Sequence, residues 1–277
     1  MSQRETVDII RSRLPRYDGD ELAVEPRSDS GRLYHIDLKK DEVGRIALLP
    51  GDPGRVPQIA KHFRDPTPLR AHREYVSYGG YLGKEYVVAL STGIGGPSAA
   101  IAVEELARLG VKVMIRVGTC GAIQAGAKVG TLVIADASVS LDGASEEYAM
   151  DGYPAAATPE VVMALRDAAA SLKKKALVGL AASTDSFYVG QGREGYGGYL
   201  PSRSGALLRD LQQARVLCFE MESSTIFTLG RIYGLKTGAL FAVVGNRVTN
   251  TFKMGAGIED AIATAVRAVG LFKRYGV

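Results

Sequence analysis

Apolar residues recur along most of this chain in two spacings, and their alternation predicts its architecture. Short, nearly uninterrupted apolar runs occupy 45–49, 112–117, 131–139, 176–183, 215–220 and 236–244, as expected of strands buried on both faces. Residues 73–81 and 85–91 read as two further strands joined by a tight turn at Gly83-Lys84. Helical spacing lies between these runs. Ala99, Ala102, Val103, Leu106 and Ala107 share one face of a segment over 97–109, with Glu104, Glu105 and Arg108 opposite. Pro97 suits its first turn. Further helices are predicted at 160–173, 204–213 and 223–233. A C-terminal one buries Ile258, Ala261, Ile262, Ala265, Val266 and Val269. Strands alternating with helices predict an α/β fold: a single domain over 34–277 with a central mixed, largely parallel β-sheet flanked by helices. Residues 1–33 are polar and broken by Pro15 and Pro26. They are expected to form an N-terminal arm outside the core, with a short helix in the first dozen residues.

Composition narrows the function classes. Of the 277 residues, 46% are hydrophobic and 23% charged, which excludes a disordered or fibrous chain. The 34 Lys and Arg against 30 Asp and Glu give a net charge of +4, spread without a basic tail or stripe. No nucleic-acid partner is expected; a few arginines around a small anion suit the balance equally well. The two cysteines, Cys120 and Cys218, form no disulfide framework or metal knuckle, which points to a reducing compartment. The start, MSQRETVDIIRSRLP, has no apolar core of a signal peptide, and no uncharged apolar run reaches about 18 residues. A cytoplasmic protein without membrane attachment is expected.

In such sheets ligands bind where loops leave the carboxyl ends of strands. After the first strand stands Pro50-Gly51-Asp52-Pro53-Gly54-Arg55, a tight turn followed by a fork of cationic donors, suited to phosphate or to a plain surface turn. Ser91-Thr92-Gly93-Ile94-Gly95-Gly96-Pro97-Ser98 leads into a helix. Its glycines fit an anion or a close substrate approach, and Ser98 stands where a dinucleotide fingerprint needs a third glycine. Arg116-Val117-Gly118-Thr119-Cys120-Gly121 puts a charge near the end of an apolar strand, which requires an anion, either a ligand or a structural ion-pair partner. Cys120 has no histidine near it in sequence and reads as core filler. Glu220 and Glu222 flank Met221 where a strand gives way to a helix. They suit hydrogen bonds from a diol, or the start of a helix. The segment 185–193 offers Phe187, Gln191 and Arg193, able to read the face and edge of a heterocycle.

Together these loops resemble the hexameric nucleoside phosphorylase family, from about His35 to the C-terminal helix. The resemblance rests on STGIGGPSAAIAVEEL at 91–106, PGDPGRV at 50–56, HREY at 72–75, RVGTCGAI at 116–123 and FEMES at 219–223. The F-Y-x-G-Q-x-R pattern at 187–193 resembles the base-reading segment of pyrimidine-specific members. Purine-specific members carry an aspartate near 244, where this chain reads Val244-Gly245-Asn246-Arg247. Two positions depart from many relatives: Gly192 stands in place of an acid and Cys120 in place of a threonine or serine. The resemblance implies reversible phosphorolysis of uridine to uracil and ribose 1-phosphate, with phosphate as co-substrate and no cofactor. It implies that Gly51, Arg55, Arg73, Arg116 and Thr119 hold phosphate. His35, Thr119, Gly121, Phe187, Gln191, Arg193, Glu220, Met221, Glu222 and Arg247 would hold the nucleoside, with Arg116, Gln191 and Arg193 carrying the chemistry. His35 and Arg73 would come from a neighbouring subunit of a homohexamer built as a trimer of dimers. A monovalent cation such as K⁺ at Glu74, Ile94 and Ser98 would be a structural addition. A broader pyrimidine or purine specificity, hydrolysis by water, and a non-catalytic nucleoside sensor remain as alternatives.

Overall fold

The computed structural model describes residues 26–28 and 30–277. The short helix expected in the first dozen residues, and most of the arm, lie outside the described residues. Leu33, at the end of that arm, is buried beside Ile36 and Leu38 in the main core.

Ten strands form one mixed sheet: β1 (Ile46–Leu49), β2 (Arg64–His72), β3 (Tyr75–Leu82), β4 (Glu85–Leu90), β5 (Val113–Ala122), β6 (Leu132–Leu141), β7 (Ala176–Thr184), β8 (Cys218–Glu220), β9 (Lys236–Asn246) and β10 (Thr251–Phe252). The order is β10-β9-β6-β7-β8-β5-β1-β4-β3-β2, with β9 also paired to β5. That extra pairing closes β5, β9, β6, β7 and β8 into a ring, from which β1, β4, β3 and β2 extend as an open wing. β1 runs parallel to β4 and β5, and β5 parallel to β9, so these strands deliver their carboxyl ends to one side. Of the ten pairings, five are parallel and five antiparallel, so the sheet is mixed without being largely parallel.

Helices cover both faces. α2 (Gly96–Leu109) and α6 (Ser223–Ile232) pack Ala99, Val103, Leu106, Ile226 and Phe227 on one side with Leu49, Val88 and Met114. On the other side α1 (Val56–Ala60), α4 (Pro159–Ser171) and α7 (Ile258–Val269) pack with Ile46, Val113, Ile115 and Val117. The alternation of Met114 with Val113 and Ile115 is the period of two expected of a strand buried on both faces. α3 (Gly143–Tyr148), α5 (Ser202–Gln213) and α8 (Phe272–Tyr275) complete the set among the described residues. No described helix is long and apolar enough to cross a membrane.

The predicted elements appear with small shifts at their ends. β5 runs on through Gly118 to Ala122, paired along this stretch with β9, and a Cβ at Gly118 would crowd the Phe241 ring at 3.0 Å. β8 begins at Cys218, later than the apolar run suggested. β2 has no counterpart in the sequence prediction. It is a polar edge strand with two prolines and breaks in its register, features that suppress strand periodicity.

Candidate active site

The loops after β1, β4, β7, β8 and β9 meet the outer half of β5 around a cleft of about 780 Å³. The parallel strands bring their ends there directly. β8 arrives differently: it runs antiparallel to β5, pairing Phe219 with Gly121, and so carries Glu220–Glu222 back toward Arg116.

One end of the cleft is cationic. Arg116 is buried on β5, opposite Leu49 of β1 and Ala239 of β9. Its Nη2 donates to Glu222 Oε2, its Nη1 donates to Thr92 Oγ1 at 3.2 Å, and its buried Nε has no partner among the described residues. A buried donor without a partner is costly, and an oxyanion in the cleft is the chemistry that would satisfy it. Gly51 covers the guanidinium; a Cβ there would lie 3.1 Å from both terminal nitrogens. Arg55 follows from the turn after β1, where the Asp52 carboxylate accepts the Gly54 N–H. Burial, and then the positive charge of Arg116, depress the Arg55 pKa. Thr119 lines the same wall.

The two glutamates separate in role. Glu220 accepts from the hydroxyls of Ser183 and Ser223 and from the N–H groups of Glu222 and Ser223. Burial, then the charge of Glu222, push its pKa up. Although it lines the cleft, its acceptors are engaged at the head of α6, in keeping with the helix-start reading. Glu222 and Met221 line the cleft beside it. Glu222 also accepts the Gly95 N–H at 2.7 Å. Gly95 has φ 94°, a conformation that aims this amide into the site at the head of α2. The anion at that helix N-terminus is thus the protein's own carboxylate.

The other end of the cleft carries an amide, a guanidinium and an aromatic ring. Gln191 is buried and accepts from Arg193 Nη1 at 2.5 Å through its side-chain oxygen. The same nitrogen donates to the Phe187 carbonyl at 2.6 Å, and the guanidinium stacks 4.1 Å from the Phe187 ring centre. Burial, then the charge of Arg247, lower the Arg193 pKa. Gly121 leaves room beside it: a Cβ there would sit 3.5 Å from Arg193 Nη2. Cys120 is a buried, free thiol in the cleft wall next to buried Cys218, whose pKa is raised first by a hydrogen bond with Cys120 and then by burial.

Not every expected residue reaches this cleft. Arg247 does not line it and donates to the Gln191 and Gly192 carbonyls of the loop after β7. His35 and Arg73 stay off the chain's own cleft. His35 Nδ1 bonds Glu105 at 2.7 Å, and Arg73 lies over Tyr34, 5.3 Å from its ring centre. Glu74, Ile94 and Ser98 do come together around Gly93: Ser98 Oγ donates to the Thr92 carbonyl at 2.6 Å and lies 3.3 Å from that of Ile94. Asp52 and Phe219, read in the sequence only as parts of motifs, also line the cleft, and Phe252 carried no sequence signal. Phe252 sits on the two-residue strand β10 and packs over Gly245, too short a stretch to show a period. Thr92 and Ser183 become visible only as partners of Arg116 and Glu220.

Comparison with known proteins agrees with this geometry. The family profile described as phosphorylase superfamily matches residues 45–275, and the chain belongs to that superfamily. It is 48% identical over 253 residues to a uridine phosphorylase of Thermococcus kodakarensis, covering 91% of each chain. It is 38% identical over 240 residues to the Escherichia coli uridine phosphorylase, covering 86% of this chain and 95% of that one. A guanosine phosphorylase of Halorubrum lacusprofundi is 38% identical over 229 residues, covering 82% and 89%.

Proposed function

We propose that the protein is a uridine phosphorylase, a pentosyltransferase that reversibly converts uridine and phosphate to uracil and ribose 1-phosphate. The observation that carries this is the pairing of Arg55 and Arg116, with a buried unpartnered Nε, at one end of a cleft whose other end holds Gln191 and Arg193. Uridine phosphorylases among the relatives support the choice of base. Phosphate is the nucleophile: its oxygen forms the bond to ribose C1′ while the C1′–N1 bond breaks and its electron pair leaves with uracil. The protein positions two substrates and stabilises charge, and the reaction requires no metal or organic cofactor. Gly51, Arg55, Arg116 and Thr119 hold phosphate; charged hydrogen bonds contribute about 1.5–3 kcal/mol each. Glu222 and Met221 hold the ribose. Phe187 packs on the nucleoside, Gln191 pairs with the uracil amide edge, and Arg193 faces the carbonyl where negative charge grows.

His35 and Arg73 of a neighbouring chain complete the cleft in this reading, so the active unit is at least a dimer and the assembly a hexamer. Their joint placement beside Tyr34, away from their own cleft, supports it. Buried free thiols suit a reducing compartment, the cytoplasm. K⁺ at Glu74, the Ile94 carbonyl and Ser98 would be structural. Uracil release from uridine with and without phosphate tests the reaction, with thymidine, inosine and guanosine assayed alongside. Release independent of phosphate means hydrolysis; preference for inosine or guanosine overturns the uridine assignment.

A further inference from the structure

Glu222 is built into the cationic end of the cleft as well as the sugar wall. Its side chain is 4% exposed and that of Arg116 is 6% exposed, so their ion pair is nearly dry. The other Glu222 oxygen takes the Gly95 N–H, the place where the head of α2 would receive an external anion. Among the described residues the other hydrogen bond of Arg116 goes to the neutral Thr92 hydroxyl, and the more distant Glu220 carboxylate, occupied by Ser183 and Ser223, also acts on it by charge. Arg55 has a carboxylate neighbour in Asp52, but at 3.9 Å and 59% exposed. The charge of Glu222 also acts on Arg55. An oxyanion entering this cradle therefore meets a cation already engaged by a protein carboxylate, at short range and with little water to screen it.

We infer that Glu222 is an internal counter-anion that sets the cradle's affinity for phosphate: the ligand must share Arg116 with it. The cleft then binds phosphate more weakly than its two buried arginines would alone. A restrained grip on the ground state leaves more of the binding energy for the transition state, where phosphate meets a sugar that has become cationic. The inference rests on the phosphate reading given above.

Calorimetric titration of inorganic phosphate, without nucleoside, into the wild-type protein and Glu222→Gln tests it. The glutamine keeps the shape and removes the charge. Phosphate is expected to bind on the order of tenfold tighter to the variant. In kinetics the phosphate KM should fall while kcat/KM for uridine also falls; damage to the site would weaken both. Glu222→Ala, which removes charge and bulk, gives the same reading if the glutamine variant does not fold. Equal or weaker phosphate binding by the folded variants, with normal binding by the wild type, overturns the counter-anion role and leaves the cradle standing. No phosphate binding by the wild type overturns both.

Discussion

Arg193 makes the sharpest residue-scale expectation. It is anchored by the Phe187 carbonyl and Gln191 and stacked on Phe187. Its charge matters most where uracil departs. Arg193→Ala should lower kcat by about 10²-fold while changing the phosphate KM little, as initial rates with both substrates varied would show. Equal, small effects on both parameters would refute the role. Arg116→Lys should raise the phosphate KM at least about tenfold, because one ammonium cannot replace a fork that meets Thr92, Glu222 and an incoming oxygen at once. Saturation kinetics in phosphate measure this. Arg116 was legible in the sequence as needing an anion, ligand or ion-pair partner, because a charge near the end of an apolar strand is costly unpaired, whereas Arg55 left a plain surface turn open. Glu220 and Glu222 were not separable there. The difference lies in Ser183 and Ser223, which occupy Glu220, and Gly95, which turns Glu222 toward the site.

At the scale of elements, two side chains tie loops in place. Glu220 ties β7, β8 and the start of α6 together by accepting several donors at once. A glutamine has one acceptor oxygen in place of two, so Glu220→Gln should cost about 1–3 kcal/mol, read by chemical denaturation. Arg247 spans from the end of β9 to the carbonyls of Gln191 and Gly192. Arg247→Met should raise the uridine KM on the order of tenfold and leave the phosphate KM unchanged. The helices at 97–109 and 258–269 were legible from a wide apolar stripe. β2 and β10 were not, since one is a proline-broken edge and the other two residues long.

The whole molecule adds what no segment carries. The resemblance implied that His35 and Arg73 act in a neighbour's cleft, and each stands off its own. Mixing inactive Arg73→Ala chains with inactive Arg116→Ala chains, after reversible dissociation, should restore activity, because one site of each mixed pair regains a full set of groups. No recovery in demonstrated mixed oligomers would refute shared sites. The closure of five strands into a ring was also invisible in the sequence, because its last seam joins β5 to a strand of three residues through two residue pairs. That narrow stitch has a consequence. Arg116 stands on one side of it, fixed by β1 and β9, and Glu222 hangs from the other, so the placement of Glu222 against Arg116 depends on those few backbone hydrogen bonds. Opening there would part Glu222 from the cationic wall, and in the proposed reaction catalysis would vanish before most of the helices had begun to melt.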